Sequence, residues 1–307
     1  MECHNRILTT MKRLAILFGI ISLLMSCNRQ PKKIMLQGEA QGSYYAITYY
    51  DEQERNFQHE IDSIFIDNFN IAQEAARLSD GYFDPTISPI VAAWGFSYKH
   101  GDSITPQLID SLKQLVDYRK VRIENGMVVK ENPDMTLDFN AIAQGYTSDL
   151  IASFLDSRGI KNYLVDTGGE IMAHGTKPNG QPWIVGIEKP ADNWDSEQVV
   201  HTRIALRDKG LVTSGSTRKY VERNGKRYSH CIDPNTGYPV EHQVLSVTVM
   251  ANSSVWADAL ASICMVMGME KSLPLIESMD DVEAYYIYVN ENNELETFAT
   301  EGFSVIK

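Results

Sequence analysis

Apolar side chains fall at helical spacing in some stretches of the chain and crowd or alternate in others, and this division predicts its elements. "FQHEIDSIFIDNFNIAQEAARLSDG" (57–81) repeats apolar residues at helical spacing and runs into Gly81, a plausible stop for a long helix. "NAIAQGYTSDLIASFLDSRG" (140–159) predicts a helix capped by Asn140 and stopped near Gly159. Thr105 before Pro106 supplies a cap and a first helical residue for a helix running to Tyr118. "SSVWADALASICMVMG" (253–268) predicts a strong helix, with a short one following near 270–277. Strands are predicted where Tyr and β-branched residues gather: "SYYAITYY" (43–50), two short ones in "MVVKENPDMTLDF" (127–139), and "PWIVGIEKP" (182–190). "NYLVDTGGEIMAHG" (162–175) reads as a strand broken by a double Gly, and 202–250 holds several more strands, with others at the C-terminus. "FDPTISPIVAAWGF" (83–96) is punctuated by Pro85 and Pro89 and predicts a turn into a short helix or loop, while "TSGS" (213–216) reads as a turn. Helices and strands mix without a strict βαβ rhythm, which predicts an α+β fold with a mixed sheet and packed helices.

Composition bounds this picture. With 307 residues, 43% apolar and 22% charged, the chain is globular and long enough for a sizeable core in one or two domains. A net charge of −12 with no visible basic face argues against a nucleic-acid partner. At the N-terminus, Lys12 and Arg13 precede an apolar run over 14–24 that is short for a bilayer crossing and fits a secretory signal. The run ends in "LMSC", which resembles the lipobox of bacterial lipoproteins and makes Cys27 the expected acylated first residue of the mature chain. An ordinary signal or a short membrane anchor is the alternative. Residues 28–37 then read as a tether, leaving 38–307 as the folded domain. Cys231 and Cys264 remain in the mature chain, without metal-type spacing. Cys264 sits in an apolar pattern and is expected to be a buried small hydrophobe, and a disulfide between the two stays open.

Several stretches carry candidate chemistry. Asp138 stands directly ahead of the 140–159 helix, whose free amides suit a phosphate, although an acid there also simply favours the helix dipole. "DTGGE" permits close backbone approach at Gly168 and Gly169, to a ligand or to a neighbouring strand, and is not a dinucleotide fingerprint. Asp258 and Ser262 are four apart on one helix face, where they form either a local hydrogen bond or a pair of hard oxygen ligands suited to Mg²⁺. In "YSHCIDPNTGYPV" (228–240), His230 is either a hinge histidine bonding the Asp233 turn or a base beside a reacting group.

Taken in order, "GEAQGSYY", "GYFDPTISPIVAAWGF", "LDFNAIAQGYTSD", "LVDTGGEI", "VTSG", "YSHCIDPNTGYPV", "SVTV" and "ADALAS" resemble the ApbE family of FAD:protein FMN transferases, from about Gly38 to the C-terminus. The resemblance implies an ApbE-like fold with the flavin between two lobes, FAD as substrate, and Mg²⁺ as cofactor. It implies cleavage of the FAD pyrophosphate, release of AMP, and attachment of FMN to a Thr of an acceptor flavoprotein subunit. A lipid anchor at Cys27 would hold the protein on the periplasmic side of a membrane, the inner one. By the same resemblance, Gln41, Tyr82, Phe83, Asp84, Asp138, Gln144 and Ile232 would contact the flavin nucleotide. The Ala141 carbonyl, Asp258 and Ser262, with Ala261 between them, would form the metal site, and His230 would be the base. Gln41 stands where many members have Met, Gln144 where a charged residue is frequent, and Ser262 where Thr is usual. The segment near 61–65 is shorter than in most members. Two rivals to transfer therefore stand: a Mg²⁺-dependent FAD pyrophosphatase giving FMN and AMP, and a flavin-binding lipoprotein without catalysis.

Overall fold

A computed structural model describes residues 31–40, 43–97, 101, 103–191 and 195–306. The expected signal over 1–27, the acylated Cys27 and the flavin contact Gln41 lie outside the described residues. The chain divides into two compact units, one comprising the described residues of 31–39 and 44–61, the other those of 40–43 and 62–307. The division falls within helix α1, Gln58–Leu78.

The first unit is built on two paired strands, β1 (Lys32–Ala40) and β2 (Ser43–Asp51). The stretch expected to be a tether is therefore strand from Lys32 onward, because β2 gives its backbone a partner. At the end of β2, the Asp51 carboxylate accepts both the backbone N–H of Arg55, at 2.8 Å, and its guanidinium.

In the second unit, α2 (Ser88–Trp94) follows the Asp-Pro turn with a Pro in its first turn, as expected of that stretch. Helix α3, Pro106–Lys113, is capped by Thr105, whose hydroxyl accepts from Leu108 N at 3.1 Å. It ends short of Tyr118, because the carboxylate of Asp117 starts a separate 3-10 turn by accepting Arg119 N–H. Strands β3 (Val121–Glu124) and β4 (Met127–Lys130) form a hairpin over Asn125 and Gly126, both at positive φ. The second strand expected within 127–139 is irregular. Helix α4 is Ala143–Ser157, ending at Gly159 (φ 78°), whose N–H returns to Asp156 O. It starts three residues after the expected Asn140 cap. The reason is local: Asp138 Oδ1 captures the Asn140 N–H at 2.8 Å, forming a turn before the helix begins.

Strands β5 (Tyr163–Asp166) and β6 (Ile171–His174) are the two halves expected around the double Gly, with Gly168 at φ 89° and Gly169 at φ 115°. They are followed by β7 (Trp183–Glu188), β8 (Val200–Leu206), β9 (Lys209–Gly215), β10 (Tyr220–Arg223), β11 (Lys226–Ser229), β12 (Ile232–Asp233), β13 (Tyr238–Pro239) and β14 (Val244–Ala251). Helices α5 (Ser254–Met267) and α6 (Met269–Glu277) precede β15 (Glu283–Val289), β16 (Leu295–Ala299) and β17 (Val305–Ile306). "TSGS" is thus the end of β9 rather than a turn, because β14 pairs with it through Gly215.

The main sheet has six strands in the order β16-β15-β14-β9-β6-β5. Every pairing in it is antiparallel, so the α+β expectation holds while the mixed sheet does not. Side chains alternate across it. Val212, Val247, Val249, Ala284 and Tyr286 face a core with α5, and Leu211, Tyr285 and Ile287 face a second core with Val185, Ile187, Ile204 and Leu206 of β7 and β8. Covered on both faces, β14 reads as a nearly unbroken buried run. Helix α5 is buried from Val255 to Met265 except at Trp256 and Ser262, and each large apolar side chain fully buried there is worth roughly 1.5–3 kcal/mol. Cys264 lies in this core as a free thiol, accepting the Tyr286 hydroxyl at 3.4 Å, and Cys231 is also free, so the two form no disulfide.

Candidate active site

The site begins where α4 meets α5. Gly145 lies in the first turn of α4 against the N-terminal half of α5. A Cβ on it would stand 2.6 Å from Ser254 O, 2.8 Å from Val255 Cα and 2.9 Å from Asp258 Cβ. Only a residue without a side chain allows this approach, and it brings the Gly145 N–H within 3.1 Å of Asp258 Oδ2. That amide would otherwise reach back four residues to the Ala141 carbonyl. Its diversion to Asp258 leaves the Ala141 oxygen, at the start of the helix, available to a ligand. Asp149, one turn further along α4, locks the contact by accepting Ser254 N–H and Val255 N–H at 2.9 Å each, capping α5. Gly145→Ala is expected to destabilise the fold. The better helix propensity of Ala returns about 1 kcal/mol, but the clash is with backbone that cannot give, and overpacking of this kind costs about 1–3 kcal/mol. A lower denaturation midpoint checks this, and an unchanged one would refute the close approach.

Asp258 is 5% exposed. Burial above all, with Glu170's charge adding to it and the Gly145 hydrogen bond opposing it, pushes its carboxyl up to about 7. A turn along α5, the Ser262 hydroxyl lies 3.4 Å from that of Ser214 at the end of β9. Asp258 and Ser262 therefore reach different elements, Gly145 of α4 and Ser214 of β9, rather than each other. Ala261 between them is fully buried and belongs to the core. The β5–β6 turn is tied to the same helix: Ser148 Oγ meets both Thr167 Oγ1 and Glu170 O at 2.6 Å, and Gln144 Nε2 donates to Thr167 O at 3.3 Å. Among the described residues no group of three or more His, Cys, Asp or Glu is placed to hold a metal ion. A carboxylate, a hydroxyl and a free backbone carbonyl are nevertheless the hard oxygen set that Mg²⁺ takes.

A second group of expected residues lies just ahead of α4. Asp138 N–H donates to Pro85 O at 2.7 Å, which joins Asp138 to the 82–86 turn. The side chains of that turn are largely used within the fold. Phe83 is buried in the main core, and Asp84 accepts from Thr86 N, Thr86 Oγ1 and Tyr118 N. Tyr82 is half-buried, and its hydroxyl accepts from Lys271 Nζ at 2.8 Å.

The third group is the corner at 228–240. It reverses the chain as expected: β12 pairs with β13, Gly237 N–H donates to Asp233 O at 2.8 Å, and Asp233 Oδ1 accepts Asn235 N–H. Ile232 is 3% exposed and packs with Ile90, Trp94 and Ile109. Cys231, the residue after His230, is buried in the core to which α5 contributes. His230 bonds Lys219 rather than the Asp233 turn, its backbone N–H donating to Lys219 O at 3.1 Å. Its Nδ1 lies 3.1 Å from Lys219 O, and its ring meets Phe96 edge-on with centroids 6.3 Å apart. A carbonyl only accepts, so Nδ1 carries the hydrogen and Nε2 keeps its lone pair. Burial first, then the Lys219 charge, hold the imidazole below the usual 6.5, so it is neutral at pH 7.

Gly145, Ser148, Asp149 and Glu170 build this site without having been singled out among the candidate residues. A glycine inside a helical pattern was the available signal for the first.

An α+β fold that brings a buried carboxylate, a hydroxyl and a helix-start carbonyl to one helix contact defines a protein whose site offers hard oxygen donors. The ApbE family model matches residues 34–286, and the chain belongs to that family. It is 31% identical over 308 residues to the FAD:protein FMN transferase of Vibrio cholerae, covering 87% of this chain and 91% of that one. To the protein of the same name from Haemophilus influenzae it is 30% identical over 336 residues, covering 93% and 96%. Among solved structures it is similar to the flavin transferase ApbE from Vibrio cholerae, with a TM-score of 0.68 and 28% identity over 89% of this chain and 98% of that one. The apo form of the Pseudomonas stutzeri flavinyl transferase ApbE gives 0.68 and 29%, over 89% and 96%.

Proposed function

We propose that this chain, an FAD:protein FMN transferase by its family and its curated relatives, transfers FMN to a Thr of an acceptor flavoprotein at the α4–α5 contact, with Mg²⁺ as its cation. The observation that carries the reading is the buried Asp258 carboxylate beside the Ala141 carbonyl that its own hydrogen bond to Gly145 has freed. Asp258, Ser262 and the Ala141 carbonyl hold the ion, which when bound neutralises charge on the pyrophosphate. Asp138 and the 82–86 turn to which it is tied flank the nucleotide, together with Gln144. The Thr hydroxyl oxygen attacks the phosphorus of the FMN half. The new P–O bond forms as the P–O bond to the AMP half breaks, and AMP leaves with the bridging oxygen. His230 Nε2 takes the hydroxyl proton, and the Lys219 carbonyl keeps its tautomer correct.

Incubation with FAD, Mg²⁺ and a candidate acceptor domain tests the reading. Flavin fluorescence on the acceptor in a denaturing gel supports transfer. AMP without labelling would replace it by hydrolysis, and intact FAD by binding alone. The protein is further proposed to be held by a lipid on Cys27 at the periplasmic face of the inner membrane, the "LMSC" stretch being the support. Cys27→Ala is expected to move the protein from the membrane fraction to the soluble fraction, and retention in the membrane would overturn the anchor.

A further inference from the structure

The hairpin of β10 and β11 turns its two faces to different surroundings. Val221 and Tyr228 stand opposite each other in its ladder and pack with Trp94 and Ile232. The other face carries Tyr220 opposite Ser229, and Glu222 opposite Arg227. The Arg227 guanidinium pairs with Glu222 at 3.0 Å and lies over the Tyr220 ring, 4.5 Å from its centroid, which holds that ring in place. Tyr220, Arg227 and Ser229 line a pocket of about 230 Å³, as do Ser216, Thr217 and His242. Three of these groups are engaged within the fold. Ser216 donates its N–H and hydroxyl to Leu245 O at 3.0 and 3.3 Å, Ser229 Oγ accepts Cys231 N–H at 3.2 Å, and His242 Nε2 donates to Met265 O at 2.8 Å. Among the described residues the hydroxyls of Thr217 and Tyr220 have no hydrogen-bond partner. Nor does any described carboxylate line the pocket, although the chain carries a net charge of −12.

Along the chain, the pocket is bracketed by groups of the proposed reaction. Ser216 lies two residues past Ser214, whose hydroxyl is 3.4 Å from that of Ser262, and Ser229 directly precedes His230. Lys219, between Thr217 and Tyr220, is the residue whose carbonyl accepts the His230 N–H and fixes the tautomer of its ring. Three residues span at most about 11 Å, so Thr217 stands within that distance of Ser214. Sites for drug-sized molecules measure roughly 300–1,000 Å³. At about 230 Å³ this pocket is small for a dinucleotide and suits a short stretch of polypeptide. We propose that it receives the acceptor polypeptide beside its target Thr, the Thr217 and Tyr220 hydroxyls donating to backbone carbonyls of an extended segment. The inference rests on the transfer reading above and adds the place where the second substrate is held. Backbone carbonyls are what the lining calls for, since two uncommitted hydroxyls and a guanidinium supply donors and no described carboxylate competes for them. Thr217 and Tyr220 are on this account acceptor-binding residues, and neither takes part in the chemistry.

The probe is the acceptor domain that the wild type labels in the gel assay, with its target Thr replaced by Val so that binding is read without transfer. Its affinity is measured by fluorescence anisotropy on the wild type, Thr217→Val, Thr217→Ser and Tyr220→Phe. Thr217→Val and Tyr220→Phe each remove one hydroxyl and keep the shape of the side chain. Each is expected to weaken binding about 2–10-fold, the worth of one hydrogen bond. The KM for the unmodified acceptor domain is expected to rise in step, while the Kd for FAD, read from its fluorescence, holds. Thr217→Ser keeps the hydroxyl and is expected to bind the domain more tightly than Thr217→Val. Equal weakening in the Ser and Val variants would overturn the inference, because the hydroxyl would then be irrelevant. A weakened Kd for FAD with acceptor binding intact would assign the pocket to the nucleotide and overturn it too. Wild-type affinity for both substrates in Thr217→Val and Tyr220→Phe would likewise overturn it and leave transfer standing. Melting temperatures are expected to match the wild type, and a lower value with both substrates weakened would assign the hydroxyls to the fold instead. No labelling by the wild type would overturn the transfer reading itself.

Discussion

Asp258→Asn is expected to keep the fold and lose Mg²⁺-dependent turnover. The substitution preserves the shape of the side chain, and its amide oxygen still accepts the Gly145 N–H that joins α4 to α5. What it removes is the negative charge, which burial alone makes unfavourable in the metal-free protein. Stability without metal is therefore expected to hold or rise. Turnover is expected to fall by at least the roughly 10²–10³-fold that a single electrostatic stabiliser of a transition state contributes. Asp258→Ala goes further, since it also leaves the Gly145 amide buried without a partner, so the pair separates the two roles of this carboxylate. Turnover is measured as AMP release and acceptor labelling across a Mg²⁺ titration, and excess Mg²⁺ is expected to recover part of the loss in Asp258→Asn only. Unchanged turnover in both variants would remove the cation from the α4–α5 contact.

Much of this contact could be read from residue order, and the parts that could not have physical causes. Helix α5 announces itself through its apolar residues and through Ser253, whose hydroxyl caps it by accepting Trp256 N. The placement of Asp258 and Ser262 on one face follows from their spacing. What they face does not, because Gly145 and Ser214 arrive from chain segments 113 and 48 residues away. The start of α4 was misplaced at Asn140 for a reason of competing local chemistry: Asp138 takes the Asn140 amide into a turn before a helical bond can form. "TSGS" has turn composition, yet β14 on one side supplies a strand ladder that overrides it. Strand direction is likewise a property of connections, so a mixed sheet and an antiparallel one look alike along the chain. Cys231, unexplained by any motif, proves to be a buried anchor of the corner, its thiol pushed up to about 11 by burial and so unreactive at neutral pH. Family resemblance supplied roles to residues such as Phe83 and Ile232, while the fold shows their side chains filling cores. The side chains therefore serve packing, and the nucleotide contacts that the resemblance implies for them are not made by those side chains in this fold.

His230→Gln is expected to slow transfer by about 10²–10⁴-fold, the usual worth of a positioned general base, with FAD binding little changed. Gln can still donate toward the Lys219 carbonyl, so the corner keeps its shape while the basic Nε2 is lost. The pH dependence separates a base from a structural hinge. Burial, and after it the Lys219 charge, lower the imidazole from its ordinary 6.5. A base works in its neutral form, so the rate is expected to stay level from neutral pH downward and fall only once the pH passes below 6.5, where protonation begins. Lys219→Met keeps the carbonyl that fixes the tautomer and removes the charge that opposes protonation. It is expected to move the acid limb upward, toward higher pH, without lowering the plateau. The linkage has the same sign: below 6.5 the folded state binds fewer protons than the unfolded chain, so His230 costs stability as the pH falls, and the cost is relieved in His230→Gln. A normal rate in His230→Gln, or an acid limb that ignores Lys219→Met, would leave the histidine as a hinge.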